Sequence, residues 1–172
     1  MRDNFVVAAI AFLDTEFTDL RSPELLSLGL VTLDGREHYA ELDLTTGAGR
    51  ARVASASDFV RHGGILGMWG IVPDASATEW GIGRRTADWL ITLARESGEP
   101  VSIAFDYSVD YALLEDVIRD CGAWEEVGPV VRPSTSASAP GPGPGCWLPR
   151  TATARSRHAA CGAITRSPTH SR

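Results

Sequence analysis

Asp14 and Glu16, separated only by Thr15, close an almost unbroken apolar run over residues 5–13. Successive side chains on an extended strand alternate faces, so two acids spaced this way point in the same direction. Like charges held side by side cost energy unless a cation offsets them. Such a pair suits a hard divalent ion that prefers oxygen ligands, Mg²⁺ or Mn²⁺. Asp-x-Glu also occurs at ordinary solvated strand ends, so its meaning rests on its surroundings. A second acidic pair, Asp106 and Asp110, follows the apolar stretch Val101–Phe105. Asp110 stands where a helical pattern begins, a position at which Asp is also a favoured N-cap.

The elements that must hold these acids can be read from periodicity. Residues 5–13 predict a strand buried on both faces. The run is short, follows Asp3 and lacks a small-residue cleavage site, so a strand fits better than a signal peptide. Residues 25–33 predict a second strand, Asp34-Gly35 a hairpin turn, and residues 37–44 the returning strand. Residues 45–52 read as a loop, and 56–61 as a short helix capped by Ser55 or Ser57. Residues 63–74, rich in glycine and carrying Trp69 and Pro73, read as irregular. Trp89, Leu90, Leu93 and Ala94 give residues 86–95 helical spacing, ended by Gly98 and Pro100. Val101–Phe105 is a fourth strand, and residues 111–121 a helix with Leu113, Leu114, Val117 and Ile118 on one stripe. The order βββ-α-β-α predicts an α/β domain.

The chain has 172 residues, enough for one domain with a real core. Its net charge of −6 conceals a split. Residues 1–132 carry 22 acids against 11 arginines, a balance of −11, whereas 133–172 carry five arginines and no carboxylate. Residues 133–172, which include a Ser/Ala/Pro/Gly tract, predict a disordered tail. Every basic residue is arginine and none is lysine, which points to a GC-rich coding sequence. An acidic domain is a poor generic binder of nucleic acid, because Lys and Arg supply the counterion-release term. Metal ions would have to offset its carboxylates locally. Cys121, Cys146 and Cys161 form no CxxC pair, arguing against a zinc site or disulfide framework and for a reduced, cytoplasmic setting. No stretch is long enough to span a membrane.

Asp14-Thr15-Glu16-Phe17-Thr18-Asp19-Leu20 resembles the first motif of the DEDD 3′–5′ exonucleases, the superfamily of proofreading, RNase T and oligoribonuclease domains. Asp19 stands where that motif usually has glycine. Residues 23–29, Pro-Glu-Leu-Leu-Ser-Leu-Gly, are similar to the family's second strand, and Asp106 to Asp110 matches the Asn-to-Asp spacing of its second motif. The resemblance implies an RNase H-like mixed sheet with flanking helices over residues 1–132. It implies a two-metal mechanism in which Asp14, Glu16 and Asp110 are the catalytic metal ligands. It places Phe17, Thr18, Leu20 and Asp106 against the substrate, the 3′ end of single-stranded RNA or DNA, and it alone suggests a homodimer. Phe17 would stack on a base. Trp69, Trp80, Trp89 and Trp124 offer further aromatic surface, with packing the commoner role for each.

The family's third motif, a general-base His five residues before a last metal Asp, is missing, since no Asp follows Asp120. The family's closing strand and long helix are not supplied by residues 133–172 either, so the C-terminal part of the fold reads as incomplete. His158 and His170 have no carboxylate near them in sequence and read as solvated. A shifted frame near Pro133 would account for both gaps. Back-translated with GC-rich third bases, residues 163–170 permit His-His-Ala-Leu-Ala-Asp-Ala one frame over, which holds the missing spacing. The chain as written is then expected to be impaired. Two other readings compete: a catalytically degenerate domain that binds nucleic acid without cutting, and a haloacid-dehalogenase-like phosphatase with Asp14 as nucleophile. The latter expects Asp rather than Glu16, a lysine, and a helix after the motif.

Overall fold

The computed structural model describes residues 9–135. Strands β1 (Ile10–Phe17), β2 (Leu25–Thr32) and β3 (Glu37–Leu42) form an antiparallel meander. Gly35 turns the β2–β3 hairpin at φ +83°, a backbone region open to glycine at little cost. Helices α1 (Gly47–Ser55) and α2 (Asp58–His62) follow, then a 3₁₀ turn, Ile65–Met68, and the short strand β4 (Ser76–Ala77). Helix α3 (Glu79–Ser97), β5 (Val101–Phe105), α4 (Ser108–Asp120), α5 (Trp124–Val127) and β6 (Val131–Thr135) complete the described chain. The six strands form one mixed sheet in the order β4-β3-β2-β1-β5-β6. β5 lies parallel to both β1 and β6. The fold is α/β, and β1 sits inside the sheet between β2 and β5.

Several expectations need correction. The first strand runs on to Phe17, so Asp14 and Glu16 lie within it rather than beyond its end; the part of that prediction before residue 9 lies outside the described residues. Residues 45–52 are not all loop: Thr46 accepts from the Gly49 amide and starts α1. Small, weakly apolar residues gave that helix no stripe to detect. The helix predicted over 86–95 begins at Glu79, capped by Thr78, and ends at Gly98 in the left-handed region. A strand does follow the last helices: β6 spans Val131–Thr135 and extends past residue 132. Pro133 hid it, because proline lacks the donor a ladder uses and is tolerated only at a sheet edge. The rest of the tail prediction, with Cys146, Cys161, His158 and His170, lies outside the described residues.

The core lies between one sheet face and helices α3 and α4. Ala11, Leu13, Leu28, Leu30 and Ile103 meet Leu90, Leu93, Leu114 and Ile118, all buried. Burying one such side chain stabilises by about 2 kcal/mol. Gly83 lets α3 and α4 approach closely, since a Cβ there would collide with the Val117 carbonyl oxygen. Arg52 binds Glu79 through two hydrogen bonds of 2.9 Å and also donates to the Leu25 carbonyl at 3.0 Å, tying α1 to α3 and β2. On the opposite sheet face Phe12 and Val31 stay 45% and 40% exposed. Among the described residues no helix is long and apolar enough to cross a membrane.

His38 packs on the helical side, stacked on Trp89 with ring centroids 5.7 Å apart and 3.0 Å from the Thr86 hydroxyl. Burial, helped by nearby Arg85, pushes its pKa down from 6.5 to about 4. The folded chain thus refuses a proton that the unfolded chain accepts. Stability from the neutral ring is complete above pH 6.5 and is lost as pH falls toward 4. In His38→Gln this acid limb should flatten. Urea unfolding should show wild type losing about 2 kcal/mol relative to the variant across that window, allowing for part exposure of the ring. Parallel stability curves would contradict this assignment.

Candidate functional site

Alternation along β1 sends Ala11, Leu13 and Thr15 into the helical core and Phe12, Asp14 and Glu16 to the other face. The residues paired with the two acids on β2 are small: Gly29 faces Asp14 and Ser27 faces Glu16. This leaves open space beside each carboxylate. The register slips at Glu16/Phe17, a bulge that ends regular pairing just beyond the second acid.

Both carboxyls have raised pKa values. For Asp14 the main cause is desolvation, followed by repulsion from Asp110, with a smaller push from Asp106. For Glu16 desolvation again leads, followed by repulsion from Asp14 and then Asp110. The fold therefore disfavours the charges it gathers here.

Asp110 joins this group from the first turn of α4. It is 3% exposed, and the Thr15 hydroxyl donates to its Oδ1 at 2.6 Å. Its Oδ2 accepts from the Tyr107 amide at 3.3 Å. Tyr107 occupies the N-cap position, and Asp110 reaches back to it from three residues inside the helix. Thr15 lies between Asp14 and Glu16 in sequence but on the other face, so Asp110 approaches from behind the pair. The three acids are electrostatic neighbours. Among the described residues, however, no group of three or more His, Cys, Asp or Glu is arranged to hold a metal ion. The side chains that fit a hard cation are Asp14 and Glu16. Mg²⁺ commonly takes one or two carboxylates, with waters and substrate phosphates filling its other positions.

The remaining predicted site residues divide. Phe17 and Leu20 line a cleft of about 640 Å³ with Glu16, Phe59 and Ile65, and Leu20 is 85% exposed. Asp106 lines a second cleft, about 660 Å³, with Asp14, Phe12, Val31 and Tyr39. Thr18 is 2% exposed, and its hydroxyl serves its own loop by accepting from Glu24 N at 3.1 Å and donating to Ser22 O at 3.3 Å. It braces the loop that carries Leu20. The tryptophans separate by role. Trp89 stacks on His38, Trp124 lies under the Arg119 guanidinium at 4.5 Å, Trp80 is exposed, and Trp69 lines a cleft beside the acids.

Sequence reasoning missed Tyr39, Glu41 and the 65–72 segment. Glu41 is fully buried, accepting from Gly70 N and Ser76 Oγ at 2.9 Å each and from Tyr39 Oη at 3.0 Å. The available signal was a carboxylate in a strand whose neighbours Ala40 and Leu42 are apolar. Burial of a charge needs several donors; the irregular stretch downstream supplies one, Gly70, and β4 supplies another, Ser76.

No protein-family model matches this sequence, and no curated protein matches it either.

Two outcomes test this geometry. Thr15→Val leaves the buried Asp110 without its closest donor and should cost about 3 kcal/mol in chemical denaturation, with Thr15→Ser restoring most of it. Equal losses in both variants would show that the hydroxyl is not what matters. Asp14→Asn removes one of two crowded charges, so without divalent ions its melting temperature should equal or exceed that of wild type. Mn²⁺ at about a hundred times its dissociation constant should stabilise wild type by about 2.7 kcal/mol and leave Asp14→Asn unmoved. A destabilised metal-free Asp14→Asn would contradict the repulsion.

Proposed function

We propose that this chain carries the core of a metal-dependent 3′–5′ exonuclease of the DEDD type on an RNase H-like domain, acting on the 3′ end of single-stranded RNA or DNA. One observation carries the reading: Asp14 and Glu16, on one face of an interior strand, have as an electrostatic neighbour Asp110, which arrives from the helix after the neighbouring parallel strand. The motif order is the one the family resemblance requires.

Asp14 and Glu16 would hold the cation, Mg²⁺ or Mn²⁺. Once bound, it supplies charge that polarises the terminal phosphodiester and lowers the pKa of water. Asp110, fixed by Thr15 and the Tyr107 amide, adds negative charge behind the pair and strengthens its hold on a cation. Phe17 and Leu20 offer an apolar surface for the terminal base, a contact largely indifferent to base identity. Asp14 and Asp106 line one cleft, which would receive the sugar side of a strand end.

The His and Asp of the third motif are missing from the sequence, and no residue among those described takes the motif's general-base position. Turnover should accordingly be slow. Asp110 has both oxygens engaged within the protein. That observation favours a second reading, a degenerate domain that binds a strand end without cutting it. The phosphatase reading loses ground because an antiparallel strand, β2, follows the motif where a helix is expected.

Incubating 3′-end-labelled RNA and DNA with the full chain, with and without Mn²⁺, tests the proposal. The expected result is slow release of labelled mononucleotide that requires Mn²⁺ and disappears in Asp14→Ala. Strand binding unaffected by EDTA, without any release, would transfer the assignment to the degenerate domain. Hydrolysis of a simple phosphomonoester alone would end both readings.

A further inference from the structure

The cleft of about 660 Å³ that holds Asp14 and Asp106 is also lined by Tyr39, on β3, to which the family resemblance gives no role. Gly29 pairs with Asp14 on one side and with Tyr39 on the other, so these two stand two strand spacings apart, roughly 10 Å. Glycine puts no side chain between them. A Cβ at Gly29 would meet Tyr39 Cδ2 at 3.9 Å and, beyond its chain neighbours, nothing else within 4 Å. The phenol ring therefore leans over the glycine, on the face that carries both acids.

A buried carboxylate decides how the Tyr39 hydroxyl is used. Glu41, with no exposed surface, takes the Gly70 amide and the Ser76 hydroxyl on Oε1 and the Tyr39 hydroxyl on Oε2. A carboxylate only accepts, so Tyr39 must donate to it. Burial raises the Tyr39 pKa and, against a bond from Ser27, Glu41 and Glu16 add to the rise, so the phenol keeps its proton. With that proton committed to Glu41, Tyr39 offers other groups only lone pairs. Ser27 donates to one of them, and one is left.

The lining chemistry selects what this oxygen meets. Neither Lys nor Arg lines the cleft, and three carboxylates do, Asp14, Glu37 and Asp106. Tyr39 adds a fourth acceptor. Such a cleft favours a ligand face rich in hydroxyl donors and disfavours phosphate, whose oxygens accept. The sugar of a strand end has that character. We propose that Tyr39 accepts a hydrogen bond from a ribose hydroxyl of the terminal nucleotide, and that Glu41 is the positioning residue that acts through it. This deepens the exonuclease reading and rests on it for its ligand class. RNA alone carries the 2′-hydroxyl, so acceptance there makes Tyr39 a determinant of RNA over DNA. Acceptance from the 3′-hydroxyl makes it a reader of free strand ends.

Adenosine, 2′-deoxyadenosine and 3′-deoxyadenosine separate the two hydroxyls without metal or cleavage. Titrated into the metal-free ¹⁵N-labelled full chain and followed at the Gly29 and Tyr39 amides, adenosine should bind about fivefold tighter than one of the deoxy analogues. The analogue that weakens names the hydroxyl. Tyr39→Phe should bind all three alike. Glu41→Gln keeps an acceptor for Gly70 and Ser76 but turns an amide donor toward Tyr39, which frees the phenol proton. The methyl ether at the identified position accepts but cannot donate, so it should gain on the deoxy analogue only in Glu41→Gln. In the Mn²⁺ cleavage assay, removing that hydroxyl from the last nucleotide should raise KM about fivefold for wild type and not for Tyr39→Phe. Nucleoside discrimination that needs Tyr39, without any cleavage, would end the exonuclease reading while the role of Tyr39 stands. Cleavage by a chain that binds the three nucleosides equally or not at all, or discrimination that survives Tyr39→Phe, would overturn the role of Tyr39 alone.

Discussion

The hydrogen bond from Thr15 to Asp110 joins residues 95 positions apart in sequence, and the geometry of the acidic site depends on it. It locks the start of α4 to the middle of β1 in a buried setting where a short, charge-assisted bond is strong. Because Thr15 occupies the strand position between Asp14 and Glu16, the same bond fixes the backbone that carries both acids. α4 is held from its other side by α3, through the close approach at Gly83. The site thus inherits its rigidity from the core rather than from loops.

Concentrating acids in this way works against folding. Desolvation and repulsion from neighbouring carboxylates raise the pKa values of both Asp14 and Glu16, in a domain that already carries excess negative charge. Net stability of a domain this size is small beside the terms that compose it, so the core offsets a real local cost. Sites of this kind are where local structure and function conflict. Glu41 is the opposite case. It is more deeply buried than either, yet its oxygens are met by three donors. Asp14 and Glu16 are left with their charged forms disfavoured, while Glu41 has been satisfied by the chain itself.

The two flanking surfaces differ in how they are held. The loop carrying Leu20 is braced by Thr18, whose backbone also bonds Glu24 and Ser57. The 65–72 segment is braced by Glu41 and Trp69. In both, a buried polar side chain supports exposed apolar ones, which keeps greasy surface available beside the acids without letting it collapse into the core.

The sequence by itself determined whatever follows from local periodicity and turn chemistry. It set the shared direction of Asp14 and Glu16, the Asp34-Gly35 hairpin, a serine cap at Ser55 or Ser57, the Gly98 helix stop and the stripe of α4. These depend on residues within a few positions of one another, whose geometry the backbone repeats. Only the tertiary structure decided that Asp110 is engaged by Thr15, that Thr18 is a brace and that His38 packs neutral under α3. The same holds for Glu41 anchoring an irregular segment and for β6 joining the sheet despite Pro133. Each depends on a partner far along the chain, selected by which faces pack together and which buried polar groups must find donors. No spacing rule encodes that choice, because it is made by the free energy of the assembled core.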